Sequence, residues 1–443
     1  MTELPEPTGT PRAFILTGSF PVIRRNPLYL TELTRRGLKV LVITAASYRG
    51  QAAAAIADPA NPASAISDIA FVTGDFTVQG AFLAGAIAHV SAWRRRYTIV
   101  GAYAVGDYLA EATGLIADGL GLRSPGLRAS RACRSKYLQR WYAPALSPAS
   151  RTIPPGERET ADLTGVTFPA VVKPAGRASS SGVTTVDDLA GLRRQVESYP
   201  GHEVALVEQK VDGPEYSVES LVQDGRVIFA SATAKETTDS RTRTFVELAH
   251  SVPVPSSQTH EALLAANREL LTRLAFADGI AHSEWRIGAD GRPMLIEIAG
   301  RTPGDGLLVL YQLATGQPLE PEIIRIALGE PARYPASRRY TRQVYLEHTP
   351  GVLVDVTLDW PGVEPAWISD SGVWPEIRPG AADDPPALRA VLVLKSRGSR
   401  LSPLADSDDR SVTFFIDAAI PQELDSLEKR VRAAITIHTD HAP

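Results

Sequence analysis

Three observations predict an α/β protein, α+β when taken over its whole length. Apolar strands alternate with amphipathic helices over roughly the first 120 residues. Two Asp-Gly dipeptides, Asp224-Gly225 and Asp290-Gly291, each interrupt a run of alternating apolar and polar residues and so mark antiparallel hairpins. After residue 335 the chain turns to short β-type runs separated by Pro and Gly. At 443 residues there is enough chain for two or three domains with a core of their own.

The opening "AFILTGS" reads as a strand, "PLYLTELTRRG" as a helix closed by Gly37, and "LKVLVIT" as the next strand. This is a βαβ unit with a right-handed crossover. "DIAFVTG", "QGAFLAGAIAHVSAW", "YTIVGAY" and "AVGDYLAEATGLIADGLG" continue it as strand, helix, strand and helix. The turn "TGSFPVIRRNP" lacks G-x-G-x-x-G, and G-x-x-x-x-G-K-[ST] occurs nowhere, so neither a dinucleotide fingerprint nor a P-loop is present. "ASRACRSKYLQRWYA" reads as one helix carrying Lys136. "FPAVVKPAGRASSSGV" is a buried strand running into a small-residue loop, and "EVALVEQKV" is another strand. "PEYSVESLVQDGRVIFASATAKE" alternates about the first Asp-Gly, and "HEALLAANRELLTRLAF" is a long amphipathic helix leading to the second hairpin.

The formal net charge of −4 and pI near 6.1 argue against a broad nucleic-acid surface. The single cysteine, Cys133, excludes an internal disulfide framework and a cysteine metal cluster. Although Arg131 and Arg134 flank it, no His-based triad context accompanies it, and it reads as an ordinary cysteine. "MTELPEPTGTPR" lacks the regions of a signal peptide, and apolar stretches such as "AFLAGAIAHV" fall short of a membrane span. A cytoplasmic protein without membrane or nucleic-acid partners is expected.

The hairpin His282–Arg301 carries the most chemistry. If Ala289 and Arg292 flank a two-residue type I′ turn, Glu284 lies opposite Glu297 and His282 opposite Ala299. Trp285 then faces Ile296, and Ile287 faces Met294. One side of the ribbon is apolar; the other carries His282, Glu284, Arg286 and Glu297. Two carboxylates about 5 Å apart repel unless a cation lies between or beside them. Mg²⁺ commonly takes one or two protein carboxylates and completes its shell with phosphate and water oxygens. The alternative is a solvated face salted to Arg286 or Arg301.

Lys173 ends the apolar strand "FPAVV" and precedes Pro174 and "GRASSSG". An ammonium beside small residues, whose N–H groups can approach oxygens, has the makings of a phosphate cradle. The alternative is a strand-end lysine before an ordinary loop, and Lys136 alone reads as an exposed helical lysine. Glu208 and Glu215 suit an adenine hinge and a ribose contact.

In this order and spacing, Lys136 in "CRSKYLQR", Lys173 in "VVKPAGRASSSGV", Glu208 and Glu215 in "VEQKVDGPEYSVE", Lys235 in "TAKET", Glu284 in "HSEW", and Glu297 and Arg301 in "IEIAGRTPGDG" resemble the ATP-grasp superfamily of carboxylate–amine ligases. The "EIAGRTPGD" form looks most like the branch containing bacterial L-amino acid ligases. The resemblance implies an ATP-grasp fold: a Rossmann-like N-terminal domain over 1–124, a nucleotide-binding and catalytic region over 125–335 with a lid near 165–210, and a β-rich C-terminal subdomain over 336–443. It implies that Lys136 and Lys173 contact ATP phosphates while Ser179, Ser180, Ser181 and Gly182 close over them. Glu208, Gln209 and Val211 would form the adenine hinge, Glu215 would take the ribose, and Lys235 would join the nucleotide site. Glu284 and Glu297 would hold one or two Mg²⁺ ions, replaceable by Mn²⁺, and Arg301 would sit beside the acyl phosphate. Glu236, Arg243, Glu247, His250, His282, Gly304 and Asp305 are candidate substrate contacts, with ordinary polar positions as the alternative.

The implied activity joins a small carboxylic acid, an amino acid foremost, to an amine, with release of ADP and phosphate; a homodimer would fit the resemblance. A bicarbonate-phosphorylating enzyme like the biotin carboxylases and a non-catalytic nucleotide-binding module are the alternatives. One departure stands out: Ala299 occupies the place where many relatives have asparagine as a second metal ligand.

Overall fold

The computed structural model describes residues 9–178 and 180–440. Its N-terminal part is a parallel sheet of β1 (Arg12–Thr17), β2 (Lys39–Ala45), β3 (Ile66–Val72) and β4 (Thr98–Ala104), in the order β3-β2-β1-β4. Successive residues serve opposite faces: Phe14, Leu16, Val40 and Val42 enter one core, Ala13, Ile15, Leu41 and Ile43 another. Burial on both sides is what makes these strands continuous apolar runs. At the carboxyl edge the turn after β1 touches the one after β4. A Cβ on Gly18 would lie 2.6 Å from the Gly106 nitrogen, so only glycine allows that approach.

A second, antiparallel sheet comprises β5 (Ser150–Ile153), β6 (Ala170–Pro174), β7 (Thr184–Val186) and β8 (Ala205–Gln209), in the order β5-β8-β6-β7. The helix Leu189–Glu197 covers it through Leu192 and Val196. Next come β9 (Glu215–Gln223), β10 (Arg226–Thr237), β11 (Glu247–Val252), β12 (Gly279–Ile287), β13 (Pro293–Ala299) and β14 (Tyr340–Leu346). β15 (Gly351–Leu358), β16 (Pro365–Trp367), β17 (Ala387–Val393), β18 (Arg400–Leu401), β19 (Val412–Ala418) and β20 (Ile435–Asp440) complete the set. Nine of these form one sheet, β13-β12-β9-β10-β11-β14-β19-β17-β16, which runs across residue 335 without a break; β18-β15-β20 form a small one. Among the described residues no helix is long and apolar enough to cross a membrane.

Two expectations need correction. The helix expected over 129–143 is two helices, Leu127–Ala132 and Lys136–Tyr142. Ser135 is extended between them, with φ −140° and ψ 104°. Tertiary bonds replace the intrahelical ones there: the Lys136 N–H donates to the Ala175 carbonyl, and the Gln139 amide to the carbonyls of Ala132 and Ile298. The break places Lys136 on the first turn of a helix aimed at β13.

The second correction concerns the hairpin. Asp224 and Gly225 both have positive φ, 51° and 73°, as a type I′ turn requires. At Asp290-Gly291 only Gly291 does. There the Gly291 N–H donates to the Gly288 carbonyl and the Gly288 N–H to the Arg292 carbonyl, giving a three-residue loop that ends in a left-handed glycine. The longer loop shifts the register by one, so Trp285 faces Leu295 and Ile287 faces Pro293, not Ile296 and Met294. A bulge at Ile296 restores it, and Glu284 lies opposite Glu297 and His282 opposite Ala299, as expected. Because of the bulge, Ile296 leaves the apolar side and lines the cleft described next.

Candidate functional site

Between the small antiparallel sheet and the polar face of the large one lies a cleft of about 1040 Å³. Its floor is β12 and β13, its back β9, and its roof the loop after β6. Alternation along β12 turns His282, Glu284 and Arg286 into the cleft, while Ser283 and Trp285 point into the core beneath.

Each floor glutamate has its own ammonium. The Lys235 Nζ lies 2.5 Å from Glu284 Oε1, 3.5 Å from Glu215 and 3.7 Å from Glu247. Lys136 Nζ donates to Glu297 Oε1 at 2.9 Å and to the Arg177 carbonyl at 2.6 Å. Burial alone would drive Lys235 toward neutrality, but its three carboxylates outweigh that and raise its pKa well above the ordinary lysine value. Burial likewise opposes the charge on Glu284, yet Lys235 and His282 hold that carboxyl well below the usual range.

His282 joins two layers. Its Nδ1 lies 2.7 Å from Glu219 Oε1 and its Nε2 3.2 Å from Glu284 Oε1. Burial works against the imidazolium, but the two carboxylates prevail and raise its pKa to about 9. Glu219, fully buried, also accepts from Ser217, Thr233 and Tyr311 at 2.7–2.8 Å.

Other expected residues assemble around this floor. Lys173 lines the cleft and pairs with Glu208, which Arg140 also holds. The Glu208 carboxylate is therefore 3% exposed and engaged within the protein, which leaves the backbone of Gln209 to Val211 to face the cleft; all three line it. Glu215 takes a two-pronged bond from Arg286, at 2.9 and 2.7 Å. Ser180 and Ser181 line the roof, and Ser180 Oγ donates to the Phe245 carbonyl at 3.0 Å. Gly182 sits just behind with φ 75° and accepts at its carbonyl from Tyr199. Ser179 lies outside the described residues. Arg301 closes the far end, where its Nε donates to Asp107 at 3.3 Å and its Nη1 to the Thr302 carbonyl at 2.6 Å. Asp107 is also paired with Arg134, which ties the N-terminal sheet to the cleft.

The remaining candidates divide, most of them lying outside the cleft. Lys235 sits beneath the carboxylates and does not line the cleft. Glu236 borders a separate surface depression, and Arg243 is exposed and paired with Asp187. Gly304 and Asp305 do not line the cleft; Asp305 borders a second cavity. His250 is wholly buried, 3.6 Å from Asp305. Glu247 lines the cleft and accepts from Ser407 at 2.8 Å. Cys133 is buried, and burial pushes its thiol up, away from reactivity. Arg140, Arg177, Glu219 and Asp107 were not singled out in sequence. Glu219 was within reach, since Glu215, Ser217 and Glu219 form the polar half of one alternating strand.

The two glutamates suit a divalent ion. Their Oε1 atoms carry the protein's cations, while neither Oε2 has a hydrogen-bond partner among the described residues. Ala299 lines the cleft without an oxygen in its side chain. Among the described residues no cluster of three metal-ligating side chains occurs.

Residues 166–308 match the family model of the ATP-grasp domain. A D-alanine–D-alanine ligase from Anaeromyxobacter sp. (strain Fw109-5) is 31% identical over 156 residues, which are 33% of this chain and 49% of that protein. The chain thus spans about half the length of the curated relative it matches. Among solved structures, the L-amino acid ligase from Bacillus licheniformis superposes with a TM-score of 0.73 at 18% identity, covering 98% of this chain and all of that one. The biotin carboxylase domain of Hydrogenobacter thermophilus 2-oxoglutarate carboxylase, solved with MgADP and bicarbonate, gives 0.62 at 13% identity, over 96% and 90%. The chain has the ATP-grasp fold, and residues 166–308 are the part of it that matches the ATP-grasp domain model.

Proposed function

We propose that this protein is an ATP-dependent ligase that joins the carboxylate of a small acid, an amino acid foremost, to an amine and releases ADP and phosphate. The observation that carries this reading is the paired floor, Glu284 and Glu297, which both line the cleft, each held by a buried lysine through Oε1 and each with an Oε2 that has no hydrogen-bond partner among the described residues. The similarity to amino acid ligases over the ATP-grasp domain supports it.

ATP would lie with its base against Pro148, Val171, Val211 and Ile296 and its edge on the backbone of Gln209 to Val211. Lys136 and Lys173 would meet its phosphates beneath the loop from Ala178 to Gly182. Glu284 and Glu297 would hold Mg²⁺ or Mn²⁺, which offsets phosphate charge when bound; with Ala299, a second ion would share the same two carboxylates and phosphate oxygens. A carboxylate oxygen of the acid attacks the γ-phosphorus and the bond to ADP breaks, giving an acyl phosphate. The amine nitrogen then attacks the acyl carbon, the C–O bond to phosphate breaks, and the nitrogen gives up a proton. Arg301, near this end, would stabilise the oxyanion as it forms. Closure of the serine-rich loop would keep water from the acyl phosphate.

Pairwise assay of amino acids for ADP and phosphate tests the reading: release should require both an acid and an amine. AMP and pyrophosphate would refute the acyl-phosphate route, and release driven by bicarbonate alone would favour a carboxylase-like reaction.

A further inference from the structure

Among the described residues none before Lys136 lines the nucleotide cleft, yet the N-terminal sheet reaches its far end through one side chain. Arg301 lines the cleft, and two of its three guanidinium nitrogens are already engaged. Nε donates to Asp107, in the turn after β4, and Nη1 to the carbonyl of Thr302, the next residue. Nη2 has no hydrogen-bond partner among the described residues. Where the guanidinium points therefore depends on what holds Asp107 and the Thr302 carbonyl.

Arg134 holds Asp107 by its other oxygen and also donates to the Gly176 carbonyl at 3.1 Å. Thr302 is held by its hydroxyl. Tyr29 Oη, from the helix Pro27–Arg35, lies 2.8 Å from Thr302 Oγ1, and Tyr103 Oη, from β4, lies 2.8 Å from the same atom. The two phenols are 3.4 Å apart, so three hydroxyls close a triangle. Tyr29 is 0% exposed and Thr302 3%, and the tyrosine rings pack with centroids 5.3 Å apart in a core shared with Leu16 and Leu307. Burial raises the pKa of both phenols, that of Tyr103 to about 12, so each keeps a proton to donate. The carbonyl at stake belongs to the Thr302–Pro303 peptide, and proline narrows the backbone freedom of the residue before it. A threonine tied at its side chain and restricted in its backbone cannot readily turn that carbonyl away from Arg301.

Packing alone does not call for these oxygens. Hydroxyls bonded to one another in a core can be exchanged for apolar groups of the same shape at little cost, so the triangle contributes position more than stability. We propose that Tyr29, Tyr103 and Thr302 are positioning residues, which through the Thr302 carbonyl aim the Arg301 guanidinium at the oxygen where negative charge develops. The proposal rests on the ligase reading for the role of Arg301, and it holds whichever acid and amine the protein joins. It gives the N-terminal domain a part in turnover although that domain does not border the nucleotide. The effect should fall on kcat and leave nucleotide binding alone.

Thr302→Val keeps the shape and removes the hydroxyl; Tyr29→Phe combined with Tyr103→Phe removes both phenolic oxygens and keeps the rings. Phosphate release is followed with the acid and amine that drive wild-type turnover fastest in the pairwise assay. Each of these two proteins should lose about tenfold to a hundredfold in kcat, the scale of a catalytic group displaced by about 1 Å, with the KM for ATP and the affinity for MgADP unchanged. Thr302→Ser, which retains the hydroxyl, should keep most of the wild-type rate. The deciding measurement is a double-mutant cycle with Arg301→Ala: Thr302→Val should slow the wild-type protein and have no further effect once Arg301 is gone. If Thr302→Val does not fold, the paired phenylalanine variant takes its place in the cycle. The same fold loss in both backgrounds would overturn the proposal and leave the ligase reading standing, as would a wild-type kcat in Thr302→Val or a loss of MgADP affinity that matches the loss of kcat. Wild-type turnover in Arg301→Ala, or no phosphate release by the wild-type protein with any acid and amine, would instead strike at the ligase reading, and this inference would fall with it.

Discussion

The two faces of the large sheet are built from alternate residues of the same strands, yet they follow different rules. Below β9, β10, β12 and β13 lie Val218, Ala232, Ala281, Trp285, Leu295 and Ile298, all buried in one apolar core. Above them, Glu215, Glu219, Lys235, His282, Glu284 and Arg286 stand shoulder to shoulder. The lower face gains stability from area removed from water. The upper face gains little, since the attraction between buried charges mostly offsets their desolvation. What it gains instead is a fixed arrangement in which Lys235 and His282 hold the Glu284 carboxylate ionised, and on the ligase reading that carboxylate would receive a cation arriving with the nucleotide.

The sharpest contrast should come from truncation below the sheet. Trp285 is fully buried, and its Nε1 donates to Ser283 Oγ at 2.7 Å. Trp285→Ala should lower the unfolding free energy by about 3–5 kcal/mol, read from denaturant midpoints. A loss no larger than that of a surface substitution would show that this core is not where the stability lies.

Above the sheet the corresponding test removes a charge and keeps the volume. Lys235→Met leaves Glu284, Glu215 and Glu247 facing one another without their shared ammonium. Breaking a buried set in this way should cost roughly 3 kcal/mol, and Mg²⁺ should restore part of it by taking the place of the ammonium. No response of the melting temperature to Mg²⁺ would contradict the view that the floor accepts a second cation.

His282 should make the upper face sensitive to pH. Its folded pKa of about 9 lies above its ordinary value of 6.5, so its contribution is complete below pH 6.5 and is lost as pH rises through about 9. The destabilisation caused by His282→Gln should therefore be largest near pH 6, about 3 kcal/mol at most, and should fade above pH 9. A difference that does not change with pH would mean that the imidazole is neutral between Glu219 and Glu284.

How far the sequence revealed this arrangement follows from the range of each signal. Glu284, Glu297 and His282 were legible because a strand sorts its residues with period two, and an Asp-Gly dipeptide sets where the ribbon folds. Even so, the facing of the glutamates emerged from two offsets that cancel, a longer loop and a bulge at Ile296. The strand Val412–Ala418 shows no alternation because both of its faces are covered. Arg140 on Glu208 and Arg410 on Asp305 join residues 68 and 105 positions apart, and no local pattern marks such pairs. The fate of Lys235 was hidden in the same way. Its position on a polar strand face was readable, but its place beneath three carboxylates depends on β9, β11 and β12 meeting around it.

Calorimetric titration of ADP with and without Mg²⁺, into the wild-type protein and into Glu297→Ala, tests most directly whether the facing glutamates seat a metal–nucleotide complex. Mg²⁺ should tighten ADP binding to the wild-type protein by tenfold or more, equivalent to about 1.4 kcal/mol, and should leave the variant nearly unaffected, with its fold intact. An equal Mg²⁺ effect in both proteins would contradict the account.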